Sequence, residues 1–107
     1  MTNNYLSYSA TAILQAISHG YRYGFDVMDA TGLPSGTVYP ALRRMESVGL
    51  IVSRWEEAGV AQREQRPARK YYQLTTSGRT GLAEAAARYR LADPAPLRIG
   101  KPSRTES

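Results

Sequence analysis

GLPSGTVYPALRRMESVGLIV, residues 32–52, is the stretch whose reading decides the fold. Leu33, Pro34 and Ser35 read as a turn, with the Ser35 hydroxyl placed to cap a following helix. Val38, Leu42 and Met45 then recur at the i, i+4, i+7 spacing of a helix with one buried stripe, which Ala41 and Val48 widen. At about 100° per residue the opposite side carries Gly36, Pro40, Arg43 and Ser47, flanked by Thr37, Tyr39 and Arg44. That outer face is small at its N-terminal end, hydrogen-bonding at its edges and doubly basic further along. Gly49 stops the helix and Leu50-Ile51-Val52 opens a β-like run. Such a helix, docked on a small core, suits the DNA major groove: small residues let the backbone approach base edges, and arginines reach bases or phosphates.

Upstream, Ala10, Ile13, Leu14 and Ile17 predict a first helix from Ser7 or Ser9 to Ser18, stopped at Gly20. Ala12 and Ala16 leave a second, small-residue face on it, open either to the protein's own core or to a partner chain. Tyr21 to Gly24 reads as a connection. A short second helix is expected over Phe25 to Thr31, with Phe25 and Met28 inward and Asp26 at the favourable end of the helix dipole. Two short helices joined by a turn containing Gly and Pro match a helix-turn-helix arrangement.

Downstream, Ile51 to Glu57 reads as a strand, with Ile51, Ser53 and Trp55 on one side. Trp55 is expected to pack at the base of a hairpin. Ala58 to Ala68 is a polar loop too long for a tight turn, and Arg69 to Leu74 returns as the second strand, Tyr72 and Leu74 sharing one side. Charged loops are usually only solvated. Arg63, Arg66, Arg69 and Lys70 stand beside the candidate recognition helix, however, which points them at the phosphate backbone or the adjacent minor groove. A last helix, capped at Thr75 to Gly78, runs to about Leu91 with Leu82, Ala85, Ala86 and Tyr89 as its apolar face. Asp93-Pro94-Ala95-Pro96 stops it, and residues 93–107 read as a basic, disordered tail.

Composition sets bounds on function. A chain of 107 residues makes one domain with little surface burial to spare. Its net charge of +5 is uneven: residues 35–70 and 88–107 each carry +3, while residues 1–34 carry −1. On charge alone a polyanionic partner and ordinary solvated surface are equally good readings. There is no cysteine and a single histidine, His19, near a helix end. No catalytic constellation, metal site or cofactor can be assembled from these residues, so an enzyme is not expected. Neither an export signal nor a membrane-length apolar run is seen, which fits a cytoplasmic protein.

The central stretch also resembles the PadR family of bacterial winged helix-turn-helix regulators. Leu33 to Leu42, then Met45-Glu46 and Gly49-Leu50-Ile51, carry the resemblance, with Tyr23-Gly24-Phe25 before them and Pro67 to Thr75 after. Together these pieces cover roughly residues 8 to 82. The fold expected is mostly α with a small β hairpin, α-α-α-β-β-α: a DNA-binding unit over 1–92 with a dimerisation helix at about 75–91, then the tail.

The resemblance implies a homodimer joined through the first and last helices, here Ala12, Ala16, Leu82, Ala86 and Tyr89. It also implies a repressor on an inverted-repeat operator in double-stranded DNA, and a small aromatic or lipophilic effector that releases it. Ser35, Gly36, Thr37, Tyr39, Arg43 and Arg44 take the groove-reading positions, with Arg63, Arg66, Arg69 and Lys70 on the wing. The family carries proline where Pro40 stands, so its place inside a helix does not count against that helix. The chain departs from longer members in its short last helix, which matches the small subfamily. It also lacks that subfamily's tryptophan there and has only Tyr89. Two rivals stay open: a winged helix used for protein–protein docking, and a non-specific DNA binder.

Overall fold

The computed structural model describes residues 6–89. Arg90 and Leu91, expected to complete the last helix, and the basic tail fall outside them. Helix α1 spans Tyr8–Ser18, α2 Gly24–Thr31, α3 Ser35–Ser47, strand β1 Ile51–Trp55, α4 Ala58–Arg63, β2 Lys70–Leu74 and α5 Thr76–Tyr89. The chain is thus mostly helical with one antiparallel hairpin, β1 against β2, as expected.

Local chemistry explains the starts and stops. Ser7 caps α1 by accepting the Ala10 N–H at 3.0 Å, a bond that typically stabilises a helix by about 1 kcal/mol. Helix α3 begins one residue earlier than the capping expectation required. Pro34 is its N-cap, no side chain caps it, and Ser35 is its first helical residue. Proline serves there because its fixed φ and missing donor suit a helix entry. Pro40 lies within the helix, which continues past it to Ser47. At the far end the Leu50 N–H reaches back to the Met45 carbonyl at 2.9 Å, and Gly49 takes the left-handed conformation (φ 85°) that this closure requires.

Ile13 and Leu14 of α1, Val27 of α2, Val38 and Leu42 of α3 and Ile51 of β1 are fully buried together, with Tyr72 and Leu74 closing the core from β2. All but Val27 stand on the stripes the sequence pattern marked. Phe25 is an exception: expected inward, it is 63% exposed. The short α2 turns Val27 and Ala30 to the core instead.

Two features go beyond the expected elements. The connection between α1 and α2 pairs with the hairpin: the Tyr72 N–H donates to the Arg22 carbonyl at 2.8 Å, and Tyr23 bridges Tyr71. The hairpin loop, read as polar and too long for a tight turn, contains α4, whose Ala61 is buried. Ala58, Ala61, Gln62 and Arg63 are good helix formers, and that was the signal in the sequence.

Candidate nucleic-acid interface

The surface of α3 is as its periodicity requires. Ser35, Gly36, Tyr39, Arg43, Arg44 and Ser47 are exposed and Thr37 is half-buried, while Val38, Ala41, Leu42 and Met45 face inward. Neither Arg43 nor Arg44 has an ion pair among the described residues. Glu46, the acidic residue nearest to them in sequence, is turned to the hairpin, where its carboxylate accepts the Ser53 hydroxyl at 2.6 Å. The guanidinium groups are therefore left to solvent or to a ligand.

Tyr39 is fixed more firmly than an exposed tyrosine need be. Its ring lies directly against the backbone of Gly24, the first residue of α2, where any Cβ would collide with it. The ring thus spans α2 and α3 and remains 40% exposed. Behind it, burial raises the Tyr72 pKa above its ordinary value, with Glu46 adding to the effect. A neutral Tyr72 hydroxyl follows at any physiological pH.

The wing distributes its four assigned cations unequally. Arg63, at the end of α4, is exposed and has no ion pair among the described residues. Arg66 is not free as expected: its guanidinium makes paired bonds to the two Glu56 carboxylate oxygens at 2.8 and 2.9 Å. Arg69 lies 4.2 Å over the Tyr23 ring, a cation–π contact that seats the wing on the α1–α2 connection. Lys70 stands 5.6 Å from the Trp55 ring and 4.0 Å from Glu46. Arg66 thus shapes the wing, while Arg63 and, in part, Lys70 face outward.

Trp55 corrects another expectation. It shares the side of β1 that carries Ile51, but it is 62% exposed rather than packed. At about 3.3 Å per residue, the hairpin has run past the edge of the core by then, and Trp55 sits opposite Lys70 near its far end. With Phe25, Tyr39, Arg69 and Lys70, Trp55 lines an open groove of about 750 Å³ between α3 and the wing. Sequence reasoning did not assign Phe25 or Trp55 to this surface.

The residues assigned to a dimer surface divide similarly. Ala12, Leu82, Ala86 and Tyr89 are partly exposed. Ala16, expected among them, is wholly enclosed by the chain's own core and has no surface to offer a partner. Tyr89 donates its hydroxyl to the Leu6 carbonyl at 2.7 Å and meets the Tyr8 ring edge-on at 5.5 Å, so the end of α5 and the start of α1 form one face.

A three-helix core, an outward basic helix and a hairpin beside it define a winged helix-turn-helix protein. The chain matches the Transcriptional regulator PadR-like family over residues 13–84, more than half its length, and belongs to that family. It is similar to a PadR family transcription regulator from Clostridium difficile R20291 (30% identity, 78% of this chain and 88% of that one, TM-score 0.67). It is also similar to a PadR-like transcription factor from Bacteroides fragilis (28% identity, 75% and 79% of the two chains, TM-score 0.58). BpsR of Bordetella bronchiseptica shares the fold at 19% identity and a TM-score of 0.66, over 94% of this chain and 70% of that one; 6-hydroxynicotinic acid regulates the DNA binding of that protein. No curated protein sequence matches the chain. Family membership makes it a DNA-binding transcriptional regulator. Among the described residues no helix is long and apolar enough to cross a membrane, and no acidic or histidine cluster could hold a metal ion.

Proposed function

We propose that the protein is a homodimeric repressor in the cytoplasm, binding an inverted-repeat operator through α3 and the wing. The observation that carries this reading is the pair Arg43 and Arg44, both exposed and free of ion pairs among the described residues, on a helix whose first turn is small and polar. Ser35, Gly36, Thr37 and Tyr39 enter the major groove or bind its bordering phosphates. Arg43 and Arg44 take phosphates or a guanine edge, and Arg63 and Lys70 hold the backbone from the wing. Residues 1–92 form the binding unit, α5 pairs with α1 of the second chain through Ala12, Leu82, Ala86 and Tyr89, and residues 93–107 add diffuse attraction for DNA. Two-fold symmetry then sets the recognition helices roughly 34–36 Å apart.

A small aromatic or lipophilic effector releases the dimer from DNA. Support for this is a precedent in a protein of the same fold, whose DNA binding a small molecule regulates. The test is a selection of bound genomic fragments. An enriched inverted repeat with half-sites one helical turn apart is expected. Steep salt dependence with no enriched sequence would leave a general DNA binder. Absence of binding at low salt would leave a protein-docking module.

A further inference from the structure

Glu56 is an acidic residue at the far end of the hairpin ladder, where the loop of the basic wing begins, and its side chain is only 5% exposed. One oxygen accepts from the Arg66 Nη1 at 2.8 Å and from the Arg69 backbone N–H at 3.0 Å. The other accepts from the Arg66 Nη2 at 2.9 Å. The Glu56 N–H in turn donates to the Arg69 carbonyl at 2.8 Å. A single residue therefore closes the loop that carries α4, and holds it at two places. The loop is not relaxed by itself: Gln65, a non-glycine residue, takes a left-handed φ of 57° to turn the chain out of α4. The closure also fixes the backbone from which Arg69 reaches over Tyr23, itself the N-cap of α2. Through Glu56 the wing is thus attached both to the hairpin and to the helix-turn-helix.

We infer that Glu56 is a positioning residue for DNA binding: a buried negative charge whose hold on Arg66 and Arg69 sets where Arg63 and Lys70 stand beside α3. The inference rests on the proposed DNA-binding role and makes a claim whose sign separates it from simple electrostatics. Removing an acidic charge beside a DNA surface should strengthen binding through charge alone. If the carboxylate orders the wing, its removal weakens binding, because the cations it placed must be ordered again at each encounter.

The experiment measures affinity for a labelled mixed-sequence duplex of about 30 base pairs over a series of salt concentrations, for the full chain and two variants. Glu56→Gln removes the charge. Arg66→Lys keeps the charge but cannot make the paired bonds. Both are expected to bind about five- to tenfold more weakly at moderate salt. The salt slope of Glu56→Gln should be shallower even though that protein is one charge more positive. A contribution to folding alone would leave the slope of the folded protein unchanged. Helical circular dichroism checks the fold of each variant, and if one variant unfolds the other decides the question. Glu56→Gln binding as tightly as the original chain, or Arg66→Lys retaining full affinity, would overturn the inference while leaving the DNA-binding reading intact. A chain that binds no duplex at all would remove both together.

Discussion

The backbone of Gly78 lies directly against the carbonyl oxygen of Leu50, so close that a Cβ on Gly78 would collide with it. Thr75 completes the junction: its hydroxyl donates to the Gly49 carbonyl at 2.7 Å and accepts the Gly78 N–H at 3.0 Å. The start of α5 is thereby seated on the residues that end α3. Gly78→Ala should destabilise the fold by about 1–3 kcal/mol, because a backbone carbonyl cannot step aside as a side chain can. A Cβ at Gly81, one turn further on, would meet only the Leu6 and Leu50 methyl groups among the described residues, at 3.8 and 4.0 Å. Gly81→Ala should stabilise by about 0.5–1 kcal/mol through helix propensity. Urea unfolding of the two variants checks the contrast.

Gly36 offers a test in which stability and function move in opposite directions. It lies in the first turn of α3, exposed, and a Cβ there would meet nothing within 4 Å among the described residues. Gly36→Ala should therefore raise stability by about 0.5–1 kcal/mol. If the backbone there approaches base edges, the same methyl group should weaken DNA binding. Thermal unfolding and DNA titration on one sample read both effects.

Tyr39 and Gly24 should act as one unit on DNA affinity. Tyr39→Ala should cost about 1–3 kcal/mol of binding if the ring touches a base. Gly24→Ala would push the same ring out of its place, since the colliding atoms belong to the tyrosine side chain. Combined, the two substitutions should cost little more than Tyr39→Ala alone, the mark of residues in direct contact. A double-mutant cycle by DNA titration measures this.

Acid should expose the Glu56 interaction. Hydrogen bonds from Arg66 hold its carboxyl at a pKa of about 2, below the ordinary 4.5. A depressed folded-state pKa means stability that is fully present above about pH 4.5 and is lost as the pH falls towards 2. The melting temperature should fall over that window, and Glu56→Gln should show a flatter fall across it. Thermal scans between pH 2 and pH 6 compare the two chains.

Helices α1, α2, α3 and α5 were legible because their signals are local, whereas α4 was read as loop. Ala10, Ile13, Leu14 and Ile17 repeat with the period of α1, and Ser35 to Ser47 present one apolar stripe. Alternation also placed Tyr72 and Leu74 on the buried side of β2. What sequence could not show depends on partners far along the chain. Arg66 looked like a free cation until the fold brought Glu56 within 2.8 Å of it. Trp55 lies on the correct side of its strand, yet alternation does not say where the core ends. Phe25 and Ala16 show the same limit: each is a plausible neighbour of either surface, and packing alone decides between them. The outward face of α3 needed only helical periodicity, whereas the contacts of the wing needed tertiary structure.

The most direct measurement is DNA affinity against salt for the original chain and for the Arg43→Ala/Arg44→Ala double variant, on one selected duplex. If both guanidinium groups meet phosphates, the double variant should bind more weakly, with its logarithmic salt slope reduced by roughly 2. Equal affinity and equal slope in the two proteins would contradict the assignment of α3 as the DNA-binding helix.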